Sequence, residues 1–150
     1  MTQLGFAGRV AIVTGAGGGL GRAHALELAR RGAKVVANDL GGSLDGSGSS
    51  TTAAGRVVEE IASLGGQAVA NHDSVATPAG GQAIVDAAIE AFGRIDILVN
   101  NAGNASRGLT VADTDPAELD RTMRTHAFGA WSCSKLVLPS MRTRVRDAAK

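Results

Sequence analysis

The stretch Thr14-Gly15-Ala16-Gly17-Gly18-Gly19-Leu20-Gly21 follows an apolar run, Val10-Ala11-Ile12-Val13, and the next apolar run ends on an acidic residue, Asp39. Glycines this dense between a strand and a helix leave the backbone bare. Free N–H groups and the positive dipole end of the helix can then meet a phosphate that side chains would hold off. Gly15, Gly19 and Gly21 are the loop glycines proper, while Gly17 and Gly18 are expected to add flexibility. Leu20 is expected to pack beneath the loop while presenting its N–H. Asp39 lies where a carboxylate accepts from adenosine ribose hydroxyls and repels a 2′-phosphate. The blander reading of Asp39 is a turn aspartate before Gly41-Gly42.

These residues need a frame to hold them. Arg9 to Thr14, Lys34 to Asp39, Gln67 to Asn71 and Ile95 to Asn100 are short, apolar and bounded by turn residues, as strands buried on both faces should be. Helical patterns lie between them. One, after Pro78, carries the stripe Ile84, Val85, Ala88, Ile89 and Phe92; an earlier one carries Val57, Val58, Ile61 and Leu64. A fourth helix begins near Pro116 with Leu119, Met123, His126, Ala130, Val137 and Met141 on one stripe. Strands alternating with helices predict right-handed βαβ units, a parallel sheet and helices on both of its faces. The expected order is β-α repeated four times, with a glycine- and serine-rich mobile loop over 41–50.

With 150 residues the chain is expected to be one domain, and short for a complete enzyme of this architecture. A formal charge of +1 argues against an obligate nucleic-acid or membrane partner. The single cysteine, Cys133, forms no internal disulfide, no residue group has metal-ligand spacing, and a reducing, cytoplasmic setting is the expectation. No apolar run approaches the roughly 20 residues of a membrane span, and the ending Asp147-Ala148-Ala149-Lys150 is not a peroxisomal address.

The motif Thr-Gly-x-x-x-Gly-x-Gly, followed much later by Asn100-Asn101-Ala102-Gly103, resembles the short-chain dehydrogenase/reductase family, whose fold is a Rossmann-type doubly wound parallel sheet. The resemblance implies binding of NAD(H) or NADP(H) and hydride transfer at carbonyl and alcohol carbons. NADP-preferring relatives place a basic residue in the glycine loop or just after the acidic position. Here those places hold Ala16, Gly17, Gly18 and Leu40, so NAD is the expected cofactor. The resemblance further implies that Asp73 accepts from the adenine amino group, with Ser74 and Val75 beside the ring, and that Asn100 to Gly103 lines the nicotinamide ribose.

His126 departs from the family, which usually has an asparagine there supporting a water in a proton relay. Together with Asn38-Asp39-Leu40-Gly41-Gly42, Ala70-Asn71-His72-Asp73-Ser74-Val75 and Phe92-Gly93-Arg94-Ile95-Asp96, it resembles the (3R)-hydroxyacyl-CoA dehydrogenase region of multifunctional β-oxidation enzymes, across residues 4 to 133. The implied substrate of full-length relatives is an acyl-CoA. A catalytic role and a satisfied core histidine are both open for His126, whereas His24 and His72 read as surface groups.

Family chemistry is general acid–base catalysis by a tyrosine near a lysine, with a serine holding the substrate oxygen. This chain has no tyrosine. Trp131-Ser132-Cys133-Ser134-Lys135 has the Tyr-x-x-x-Lys spacing, but it follows too closely on Asn100 to Gly103, and indole does not exchange protons near neutral pH. The expectation is a cofactor-binding part, incomplete after the fourth βα unit and inactive alone. An open fourth strand and an uncovered apolar helix stripe would favour self-association.

Overall fold

The computed structural model describes residues 5–42, 52–105 and 110–147, so most of the glycine- and serine-rich loop lies outside the described residues. Four strands, β1 (Val10–Thr14), β2 (Lys34–Asn38), β3 (Gln67–Asn71) and β4 (Ile97–Val99), form one parallel sheet in the order β3-β2-β1-β4. Helices α1 (Gly19–Arg30), α2 (Thr52–Ser63) and α3 (Pro78–Phe92) connect them. A long helical segment, α4 (Pro116–Met123) and α5 (Ala130–Asp147), follows β4.

Strand β1 is apolar because it is buried on both faces. Val10 and Ile12 point into a core shared with Ile84, Val85, Cys133 and Val137, while Val13 faces a second core with Leu26, Ala29, Val57 and Ile61. The period of two in the strand therefore feeds two helix layers. The connection from β3 to β4 passes over β1, so the chain reverses its direction of winding between β1 and β4. Such a reversal opens a crevice beyond the carboxyl ends of those strands. Most of the glycine loop, Asp39 and the Asp73 and Asn101 segments line that crevice.

The observed strands are trimmed relative to expectation. Arg9, Asp39 and Asn100 fall outside them, and Ile95 is fully buried but precedes β4. Only β1 and β2 are buried almost throughout; β3 lies at the sheet edge, with Gln67 and Ala70 exposed. In α3, Ile84, Val85 and Ala88 hold the core stripe but Ile89 is exposed, and Leu64 lies beyond the end of α2 in solvent. Local punctuation behaves as its residue types dictate. The Thr77 hydroxyl caps α3 by accepting from the Gly80 N–H at 3.1 Å, Pro78 fills the first turn, and Gly93 closes the helix at φ +74°.

The expected fourth helix is interrupted. Residues Arg124–Gly129 form a π-helical segment between α4 and α5. A π segment inserts about one residue relative to α-helical winding, so every later side chain is advanced by one position around the axis. The single stripe read from the sequence consequently splits. Val137 is buried and Met141 packs on the core beside α3, whereas Leu119 and Met123 are exposed. Trp131 and Leu138, like Leu119 and Met123, are more than half exposed.

At the opposite end of the sheet, Asp96 has a fully buried side chain that accepts from the Val10 N–H at 2.9 Å and pairs with Arg94 at 2.9 Å. Its loss would leave the buried N–H of β1 without its acceptor. Asp96→Ala is expected to destabilise the fold by about 1–3 kcal/mol. Urea unfolding at matched slope checks it, and a midpoint equal to wild type would discount the role.

Candidate cofactor site

The floor of the crevice is built by side chains that tie the ends of β1 and β4 together. Thr14, buried at the end of β1, accepts through its hydroxyl from the N–H groups of Asn101 and Ala102, both at 3.0 Å, and donates to the Val99 carbonyl at 3.2 Å. The Asn101 amide returns the link, donating to the carbonyls of Thr14 at 3.0 Å and Gly15 at 3.1 Å. A Cβ on Gly15 would sit 2.9 Å from the Asn101 amide and from Ala102 Cα, and Gly15 has φ +66°. The glycine loop and the Asn-Asn-Ala-Gly segment are thus one interlocked unit.

Helix α1 begins at Gly19, and its N-cap, Gly18, has no side chain to accept from the first-turn N–H groups. Those donors are left for another acceptor. A Cβ on Gly18 or Gly19 would meet nothing within 4 Å, so the cradle is open on the side where an anion would lie. Gly17 is different from the expectation of added flexibility: its Cβ would come within 2.8 Å of the Asp39 carboxylate. It is small because the carboxylate is docked on it. Leu20 does not pack beneath the loop either; it is 73% exposed, since the first turn of α1 points that residue away from the sheet.

Asp39 is held at both oxygens. Oδ2 accepts from the Gly17 N–H and Oδ1 from the Gly41 N–H, each at 2.7 Å. This fixes the carboxylate at the mouth of the crevice while leaving lone pairs for ribose hydroxyls. Beside it, buried Asn38 donates to Asn71 Oδ1 at 2.7 Å and to the Asp73 carbonyl at 2.9 Å. Asn71 in turn donates to Asp73 Oδ2 at 2.7 Å. This asparagine ladder orients the Asp73-Ser74-Val75 loop, and sequence reading missed it because an asparagine inside an apolar run carries no periodic signal.

A cleft of about 800 Å3 connects these groups, lined by Gly15, Gly17 to Gly19, Asp39, Asp73 to Ala76 and Asn101 to Asn104. Asn100 is not part of it; its amide turns outward and donates to Ser134 Oγ at 3.1 Å, fastening β4 to α5. Arg56, Asn104, Arg121 and Thr125 are among the lining residues that were not foreseen. They come from α2, from the loop after Gly103 and from α4 and its π segment, places that only tertiary packing brings to the cleft. Arg56 brings a basic residue of α2 to the cleft, although the sequence near Asp39 holds none.

His126 sits in the π segment and is exposed, which removes the core-histidine reading. Its Nε2 lies 2.8 Å from the Asn104 carbonyl and 3.1 Å from the Asn104 N–H, and its ring lies where a Cβ on Gly103 would be. It anchors the loop behind the cleft. A small polar cavity between Thr14, Asn100, Asn101 and Gly129 adjoins it. Trp131 and Lys135 face away, with the ammonium 5.1 Å from the indole centroid, and burial pushes the Cys133 thiol up, away from a nucleophilic thiolate. Among the described residues no cluster of His, Cys, Asp and Glu could hold a metal ion, and no helix is long and apolar enough to cross a membrane.

The arrangement fits a dinucleotide. Bare N–H groups at α1 suit a pyrophosphate, the clamped Asp39 suits a ribose diol, and a Cβ on Gly18 or Gly19 would project into open space. Comparison with known proteins agrees. The family model for short chain dehydrogenase matches residues 9–148. The chain is 50% identical over 141 residues to peroxisomal multifunctional enzyme A of Dictyostelium discoideum, covering 94% of this chain and 31% of that protein. It superposes on a short chain dehydrogenase from Mycobacterium avium with TM-score 0.81 and 44% identity, covering 94% of this chain and 48% of that one. A 7 alpha-hydroxysteroid dehydrogenase complexed with NADH and 7-oxo glycochenodeoxycholic acid gives TM-score 0.82 and 36% identity, covering 93% and 51%. The chain therefore spans about a third to a half of the length of these proteins.

Proposed function

Because this chain belongs to the short-chain dehydrogenase family, we propose that it is the NAD-binding part of an oxidoreductase acting on a CH–OH or carbonyl group, with a 3-hydroxyacyl-CoA as the substrate class of the full-length protein. The observation that carries the cofactor reading is the Asp39 carboxylate, fixed by two backbone N–H groups beside the uncapped start of α1. Gly15, Gly17, Gly19, Leu20 and Gly21 supply the phosphate cradle, Asp73, Ser74 and Val75 the adenine wall, and Asn101, Ala102 and Gly103 the nicotinamide-ribose floor. Asn100 supports that floor from outside by its bond to α5. When bound, the nicotinamide supplies the hydride-accepting carbon; the residues of this chain bind and orient it.

We assign His126 to positioning. Its bond to Asn104 fixes the loop that follows Gly103, and nothing in that geometry hands it a substrate proton. No tyrosine is present to act as acid or base. The purified chain is expected to bind NAD saturably by calorimetry and to form no NADH with a 3-hydroxyacyl-CoA. Absence of NAD binding would sink the reading. NADH production that follows the protein and vanishes in His126→Ala would make His126 catalytic.

The outer face of α4 and α5 presents Leu119, Met123, Trp131 and Leu138, each more than half exposed. Exposed apolar side chains favour association, and burying each one is worth roughly 1.5–3 kcal/mol. We propose that copies of the chain associate there. Leu119→Lys with Leu138→Lys should shift sedimentation towards monomer, and a wild type already monomeric at tens of micromolar would refute this. A cytoplasmic setting remains our proposal, on the single unpaired Cys133; the matched multifunctional enzyme is peroxisomal by name, and cell fractionation decides between the two compartments.

A further inference from the structure

Asn38 and Asn71 face each other at the last paired position of β2 and β3, and they are only 2% and 8% exposed. Which way each of these buried amides is turned follows from the backbone of Asp73. Its carbonyl can only accept, and it accepts from Asn38 Nδ2 at 2.9 Å; its N–H can only donate, and it donates to Asn71 Oδ1 at 3.0 Å. Asn38 Nδ2 also donates to Asn71 Oδ1, at 2.7 Å. With its oxygen engaged twice, Asn71 has only its NH2 to offer the Asp73 side chain, and it donates to Oδ2 at 2.7 Å.

The direction of this amide chain has a consequence at the cleft, which Asp73 lines. A chain that ends on a donor requires residue 73 to meet it with an acceptor, and the other end of that side chain is then what a ligand finds. An ionised carboxylate accepts at both oxygens, so Asp73 presents a ligand with an acceptor as well. A base edge bearing an amino group completes the series. A base with a carbonyl oxygen in that place would set acceptor against acceptor, and a site built to make a hydrogen bond discriminates against an analogue that cannot form it. Resting on the NAD reading above, we propose that Asn71, locked by Asn38, is a positioning residue whose amide direction sets residue 73 to accept and so selects a base that donates an amino group. Its effect passes through residue 73.

The test compares, by calorimetry on the whole chain, NAD with nicotinamide hypoxanthine dinucleotide, in which a carbonyl oxygen replaces the adenine amino group. The wild type should prefer NAD by roughly tenfold or more, the worth of a hydrogen bond to a charged acceptor. In Asp73→Asn the intact chain should hold the new carbonyl oxygen on Asn71 Nδ2 and leave the new NH2 for the base, so the preference should reverse. Adding Asn71→Asp restores the net charge and ends the chain on an acceptor; the amide at position 73 should then turn over, and the preference for NAD should return. A merely structural role predicts a lower Tm and weaker binding of both dinucleotides, with no reversal and no return. Should circular dichroism show that this pair of substitutions unfolds the chain, Asn71→Ala with Asp73→Asn takes its place, and a preference near unity is then expected. Equal binding of the two dinucleotides by the wild type would overturn the proposal. So would a wild-type preference kept in Asp73→Asn, or a reversed preference that persists in either double variant. Failure of the wild type to bind either dinucleotide would instead remove the cofactor reading, a separately visible outcome.

Discussion

Gly21→Ala should destabilise this chain by about 3 kcal/mol or more, the upper end of what overpacking a tight interior costs. The Cβ would stand 2.0 Å from the Gly15 carbonyl oxygen and 2.5 Å from the Asn101 amide. Neither neighbour can yield. The Gly15 carbonyl belongs to the loop itself, and it accepts from the same Asn101 amide that binds Thr14, so moving one undoes the link between β1 and β4. For a domain of this size the loss corresponds to a fall in Tm of roughly 6–12 °C. Two neighbouring glycines serve as controls, since they differ in cause. Gly19→Ala meets no atom but sits at φ +50°, so strain alone should cost about 1 kcal/mol, while Gly18→Ala has open space and extended backbone and should cost almost nothing. Gly18→Ala should act on NAD affinity, because its methyl would stand in the cradle. Equal Tm losses at positions 18 and 21 would contradict this ordering.

The contrast among those glycines marks what a sequence can and cannot disclose. The strand-loop-helix order, Asp39 and the parallel sheet were legible because each rests on local pattern: apolar runs of strand length, glycine density and turn residues. The order β3-β2-β1-β4, with β1 beside β4, follows from the handedness of βαβ units and the winding reversal such folds make. The reason for Gly17 was not legible, since it depends on the Asp39 carboxylate arriving from a different strand. Arg56, Asn104 and Arg121 were hidden in the same way, each reaching the cleft from an element whose local pattern advertises only a helix or a loop. The helical stripe from Leu119 to Met141 misled for a definite reason. A regular 3.6-residue period presumes uninterrupted α-helix, and the π segment at Arg124–Gly129 changes the phase midway. Asn38 and Asn71 escaped notice because their hydrogen bonds run between adjacent strands, where amide pairing depends on register and not on type.

The change with the largest expected effect on binding is Asp39→Ala. In the folded chain the carboxylate accepts from the N–H groups of Gly17 and Gly41, each at 2.7 Å, and those two bonds draw the glycine loop and the end of β2 together. A bound adenosine ribose would add hydroxyl donors to the same oxygens. Alanine removes the recognition bonds and also releases Gly17, so NAD affinity should fall by about 1–3 kcal/mol, the range for hydrogen bonds to a charged acceptor, or roughly 5- to 150-fold. NADP should respond in the opposite sense. With the carboxylate gone, a 2′-phosphate no longer meets a like charge, and Arg56 is the basic residue that α2 contributes to the lining of the same cleft. The ratio of NAD to NADP affinity, measured by calorimetry on wild type, Asp39→Ala and the double variant with Arg56→Ala, should therefore collapse in the single variant and partly recover in the double. A wild type that binds NADP more tightly than NAD would show that the carboxylate does not set the choice. A single variant that keeps the wild-type ratio would show that the fixed position of Asp39 serves only to shape the loop.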